Sequence, residues 1–120
     1  MKQEDKELLL KDLCARLPYD VVLYNPCANF NYQLHTLPFG IESILKDIEK
    51  WGCKPYLRPM SSITKKEIEV LEDIRDYAHT NENYAIILID FYNSHHLDYR
   101  GLIPLGLALV APKDMYNVKQ

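Results

Sequence analysis

The residues richest in chemistry stand together near the C-terminus, as His95-His96-Leu97-Asp98-Tyr99-Arg100. Imidazole and carboxylate groups are common metal ligands and common acid–base groups. His95, His96 and Asp98 are therefore candidates for a metal centre or a small hydrolase-type site. A metal ion needs three or four converging ligands, and adjacent histidines in regular structure rarely both reach one ion. No H-E-x-x-H is present, and His35 and His79 are isolated along the chain. A structural reading fits the spacing better. Asp98 and Arg100 can hold backbone groups of a turn, with Leu97 and Tyr99 packed beneath it. His95 can cap the C-terminus of a preceding helix, where a cationic side chain is favoured. No catalytic residue, metal or cofactor is assigned, and the five residues His95, His96, Asp98, Tyr99 and Arg100 stand as a candidate binding or structural cluster.

Arg58 joins that cluster from Tyr56-Leu57-Arg58-Pro59-Met60-Ser61-Ser62. A guanidinium beside hydroxyls and near a helix start can hold a phosphate. No glycine-rich loop or G-K-[ST] accompanies it, which favours a rigid connector instead. Cys27, in a turn region, could expose a thiol, but no histidine beside it in sequence would activate a nucleophile. The three cysteines form no C-x-x-C pair, and an odd count argues against a disulfide scaffold and for a reducing compartment. Cys14 falls on an apolar helical stripe and reads as a small buried hydrophobe. Nine tyrosines are spread along the chain. Tyrosine and arginine are enriched in binding surfaces, so exposed tyrosines gathered on one face would point to protein binding.

These residues must be positioned by one core. The 120 residues suit a single domain spanning 1–120, and 48% hydrophobic with 26% charged residues is ordinary globular composition. A net charge of -3 provides no strong positive field and argues against a general nucleic-acid binder. No apolar run approaches a membrane span, and Leu8-Leu9-Leu10 is too short for a signal-peptide core. The expectation is a cytoplasmic protein that does not engage a membrane.

The spacing of apolar residues predicts a helix over 4–17, with Leu9, Leu10, Leu13, Cys14 and Leu17 inward and Lys11, Asp12 and Arg16 in solvent. Pro18 stops it. Asp20 to Tyr24 reads as a strand, Asn25-Pro26 and Asn29 to Asn31 as turns, and Tyr32 to Leu37 as a second strand completing a hairpin. A helix follows over 39–51 on Ile41, Ile44, Leu45 and Ile48, with Gly52 as a left-handed cap. Lys54 to Met60 is held extended or in turns by Pro55 and Pro59. Thr64-Lys65-Lys66-Glu67 is a capping box opening a helix to about Ala78, with Ile68, Leu71, Ile74 and Ala78 inward. Tyr84 to Tyr92 is apolar almost all round, so periodicity separates neither strand nor helix. Its β-branched content favours a strand at the front. Leu102 to Ala111 suggests turns and one short strand. The fold class is α+β, with three or four helices on a small, mainly antiparallel sheet.

Three phrases, Leu10 to Tyr19 (LKDLCARLPY), Lys54 to Ser62 (KPYLRPMSS) and Asn93 to Ile103 (NSHHLDYRGLI) with Gly106 to Leu109, together resemble an uncharacterised family of small proteins. That family comes from Bacteroides-type gut bacteria and their phages and prophages. The resemblance implies a phage- or mobile-element-associated accessory protein and brings no activity, cofactor or catalytic residue. Glycine is expected after Pro18-Tyr19, where this chain has Asp20, and the departure argues against a tight turn there. The leading expectation is a non-enzymatic protein acting through an unknown protein partner. A small metal-dependent or hydrolase-type enzyme using His95, His96 and Asp98 is the alternative. A single-strand nucleic-acid module built on Arg58, Arg100 and tyrosines comes third.

Overall fold

The computed structural model describes residues 1–34, 40–78, 80 and 82–116, the side chain of Ile41 excepted. The described residues form helices α1 (Gln3–Arg16), α2 (Gly40–Trp51), α3 (Lys65–Ala78) and α4 (Tyr84–Ser94), and strands β1 (Val22–Asn25), β2 (Phe30–Gln33), β3 (Lys54–Leu57) and β4 (Leu109–Val110). The α+β expectation holds. The sheet is mixed in direction: its order is β2-β1-β3-β4, with β1 antiparallel to β2 and β3, and β4 parallel to β3.

The β1–β2 hairpin forms as the β-branched and turn residues suggest, with Val22 opposite Gln33 and Asn25 opposite Phe30. The Asn25 side chain accepts hydrogen bonds from the N–H groups of Cys27 and Ala28, at 2.9 and 3.2 Å, and so closes the turn. β2 begins two residues earlier than the alternation implies, and the Thr36–Leu37 part of that expected strand lies outside the described residues, as do His35 and His79. After α1, a single 3-10 turn (Leu17–Tyr19) carries Pro18, and Asp20 follows at φ 56°, ψ 42°. The chain does turn tightly here. Aspartate takes the left-handed conformation that glycine would adopt without strain, as a short polar side chain can.

One core joins these elements. Leu9 and Leu13 of α1, Ile44 and Ile48 of α2, and Leu23 and Leu57 of the sheet pack with Leu102, Leu107 and Ala108 of the C-terminal segment. Tyr32 Oη donates to Asp47 Oδ2 at 2.7 Å and Lys6 pairs with Glu49, tying β2 and α1 to α2. Gly52, at φ 68°, ends α2 as expected.

Four expectations are corrected. Asp12 and Arg16 are fully buried. They stand three and seven residues after Leu9, on the same inward stripe, and their mutual ion pair makes the burial tolerable. Cys14 is half-buried, because it lies at the edge of that stripe. Ile68 is 45% exposed, since α3 turns Glu67, not Ile68, toward the protein. Tyr84 to Tyr92 is helical throughout: Ile87, Leu88, Phe91 and Tyr92 share one side of α4, which packs against α1 and α3. Tertiary contact thus overrides the β-propensity of its isoleucines.

Candidate functional site

The site starts where α4 stops. His95 caps the helix as expected: its backbone N–H and its Nδ1 both reach the Phe91 carbonyl, at 3.1 and 2.8 Å, and its ring stacks on Phe91 with centroids 4.0 Å apart. His96 follows at φ 59°, a left-handed conformation that few non-glycine residues adopt. Its carbonyl accepts the Arg58 N–H at 2.7 Å, and the Arg58 carbonyl accepts the Asp98 N–H at 2.8 Å. The extension of β3 through Arg58 therefore clamps both sides of the turn. The His96 ring lies on that of Tyr116, 3.7 Å between centroids and 11° from parallel. Its Nδ1 is buried and has no hydrogen-bond partner among the described residues. Burial first, then the neighbouring charges of Arg16, Arg58 and His95, hold its pKa down at about 4, so the ring is neutral at neutral pH.

Arg58 is buried and holds the turn to α3. Its guanidinium donates to both oxygens of Glu67, at 2.7 and 2.8 Å, and also to the carbonyls of His95 and Ser62. Glu67 is at once the capping-box partner of Thr64, accepting the Thr64 N–H at 2.9 Å while Thr64 Oγ1 accepts the Glu67 N–H at 3.2 Å. Burial alone would raise the Glu67 pKa. The bonds from Arg58 and Thr64 outweigh it and hold the carboxyl below its usual range. With its fork already filled by Glu67, Arg58 is not arranged to receive a phosphate.

A cleft of about 700 Å³ opens between α3, this turn and the C-terminal segment. Of the six candidate residues, His95, His96 and Arg58 line it. The other three face a different neighbourhood. Asp98 accepts the N–H groups of Leu102 and Ile103, at 2.8 and 2.9 Å, as the turn reading expects. Arg100, expected to bind backbone, instead reaches Asp12 Oδ1 at 3.3 Å, because the buried Asp12 carboxylate lies nearby. Tyr99 stacks on Tyr92 and donates to Asn93 at 2.9 Å. Arg16 completes this second group, bonding both Asp12 oxygens and the Leu97 carbonyl. The adjacent residues thus divide into a cleft pair and a structural knot.

The cleft also takes in residues that sequence reasoning did not assign to a site: Asp20, Glu69, Asp73, Lys66 and Tyr116. The capping box marked Glu67 in the sequence, but only as a helix start. Tyr116 carries no local signal, since its role depends on the chain returning: its hydroxyl donates to the Tyr56 carbonyl at 2.7 Å and accepts the Val22 N–H at 2.9 Å. Burial raises its pKa to about 12.

Ser94, His95 and Glu67 stand in the order of a hydrolytic triad, with Ser94 Oγ 3.1 Å from His95 Nδ1 and His95 Nε2 4.0 Å from Glu67 Oε2. The tautomer defeats that reading. Nδ1 at 2.8 Å from a carbonyl must carry a proton, and Ser94 Oγ donates to the same Phe91 carbonyl at 3.0 Å. His95 therefore offers Ser94 no base. Among the described residues no three His, Cys, Asp or Glu side chains converge as a metal site would require. Cys27 is exposed, its thiol directed at the Trp51 carbonyl 3.4 Å away. No helix of the described residues is long and apolar enough to cross a membrane. Compared with protein-family models, curated proteins and solved structures, the chain matches none.

Proposed function

We propose that this chain is a non-enzymatic binding protein that docks a protein partner in the cleft between α3 and the His95–His96 turn. One observation carries the reading. His96, a residue of the cleft wall, holds a left-handed backbone and a buried ring nitrogen that has no hydrogen-bond partner among the described residues. The first feature costs roughly 1 kcal/mol and the second roughly 1–3 kcal/mol, and stacking on Tyr116 returns only about 1 kcal/mol. A glycine would serve the turn better, so the imidazole has a use outside the fold. The resemblance of the three phrases to small proteins of gut bacteria and their phages supports an accessory role in a mobile element.

The His96→Gly variant tests the reading without knowledge of the partner. Removing the strain and the orphaned nitrogen should leave unfolding stability unchanged or raise it by up to about 1 kcal/mol. Denaturant unfolding would measure this. A loss beyond about 2 kcal/mol would make His96 a structural residue through Tyr116 and overturn the assignment of the cleft.

A further inference from the structure

We propose that the cleft receives a lysine- or arginine-bearing segment of a partner protein. This rests on the cleft being the docking site and adds the chemistry of what it takes. The carboxylates of Asp20, Glu69 and Asp73 line it, all three on exposed residues and on two separate elements, the turn after α1 and helix α3. Their positive counterparts are few. The Arg58 charge is spent on Glu67 through two bonds at 2.7 and 2.8 Å, which leaves Lys66, with the imidazole of His95, against three carboxylates among the described residues. The rest of the wall suits a long amphipathic side chain. Val70 and Met115 offer apolar contact for a methylene stem, and the stacked rings of Tyr116 and His96 stand beside them.

The exposure of the carboxylates decides between a free amine and a protein segment. An exposed ion pair changes affinity by roughly five-fold at most. A single ammonium group would be held too weakly to matter. A chain that presents more than one cation, and buries stems against Val70 and Met115 at the same time, combines several such small gains. The occupant assigned to the cleft is a basic peptide segment; a free polyamine, which also carries several cations on methylene stems, is separated from it by the test.

The test uses the full chain and three probes: a fluorescein-labelled peptide of alternating lysine and glycine, its glutamate counterpart, and spermidine. Binding is read by fluorescence anisotropy, or by displacement of the labelled peptide for spermidine, and its place by the ring resonances of His96 and Tyr116. The lysine peptide should bind and move both rings. The double variant Glu69→Gln/Asp73→Asn, which changes only exposed side chains, should weaken it by about two- to twenty-five-fold. A control double variant on other faces, Glu4→Gln/Glu42→Gln, should change it less than two-fold. Equal weakening by the control would show general attraction to an acidic protein and overturn the inference. So would spermidine binding as tightly as the peptide. Ring shifts with the glutamate peptide alone would remove the cationic occupant while leaving the cleft a docking site. No ring shift with any probe would remove both readings.

Discussion

His96 combines a left-handed backbone, a ring stacked on Tyr116 and a pKa held near 4 by burial and the charges of Arg16, Arg58 and His95. In the unfolded chain an imidazole titrates near 6.5. Between those values the unfolded state binds a proton that the folded state refuses, so folding becomes less favourable as pH falls from about 6.5 to about 4. The full stability is present above that window, and below it the slope vanishes. Glu67 works in a separate range. Its pKa is depressed, so its contribution is complete above the ordinary carboxylate value and is lost only as pH falls through its lower folded value. The interval from about pH 6.5 to about pH 5 therefore separates the His96 contribution from that of Glu67. Urea unfolding should show a loss of about 1–2 kcal/mol between about pH 7 and about pH 5, and most of that loss should vanish in His96→Gly. A wild-type protein whose stability is flat across this interval would contradict the buried neutral imidazole.

At the scale of elements, the His95–Arg100 segment is held by Asp98, and the two polar residues of that turn are not equivalent. Asp98 is buried and satisfies two backbone N–H groups, one on the buried Leu102. Asp98→Ala should cost about 2–4 kcal/mol, because both donors lose their partner inside the protein. Arg100 is half-buried and contributes one 3.3 Å contact to an Asp12 carboxylate that Arg16 already binds twice. Arg100→Ala should cost about 1 kcal/mol or less. Thermal unfolding of the two variants measures the difference, and equal losses would refute the unequal roles. This turn was legible in the sequence because aspartate acts on its own nearby backbone. The capping box of α3, the Gly52 cap and the β1–β2 hairpin were legible for the same reason: each is a local interaction. The errors arise where a distant partner decides. Asp12 and Arg16 occupy inward positions by spacing, but charge suggests solvent until the Leu97 carbonyl, far along the chain, completes their bonds. The helical state of α4 depends on α1 and α3 being present to receive it. The cleft was least visible of all, since Asp20, Glu69, Asp73 and Tyr116 come together only in the fold.

The whole molecule is elongated, 44 Å in its longest extent with a radius of gyration of 15.1 Å, where about 13.6 Å suits a compact chain of this length. The core couples α1, α2, the sheet and the C-terminal segment, and α3 stands outside it. Among the described side chains of α3 only Glu67 and Ala78 are buried, and the helix packs mainly on α4. Its attachment to the sheet side runs through the Glu67–Arg58 pair. One wall of the cleft is therefore its least anchored element, an arrangement that would let the proposed partner order what the fold alone holds loosely. Native-state hydrogen exchange would read this directly. Amides of α3 should open at free energies several kcal/mol below those of β1 and β3, which should track global unfolding. Glu67→Gln should lower the α3 values further, by about 2 kcal/mol or more, because it leaves a buried guanidinium without its counter-charge. The α3 amides would have to exchange in step with β1 and β3, in wild type and variant alike, for the helix to belong to the same cooperative unit as the core.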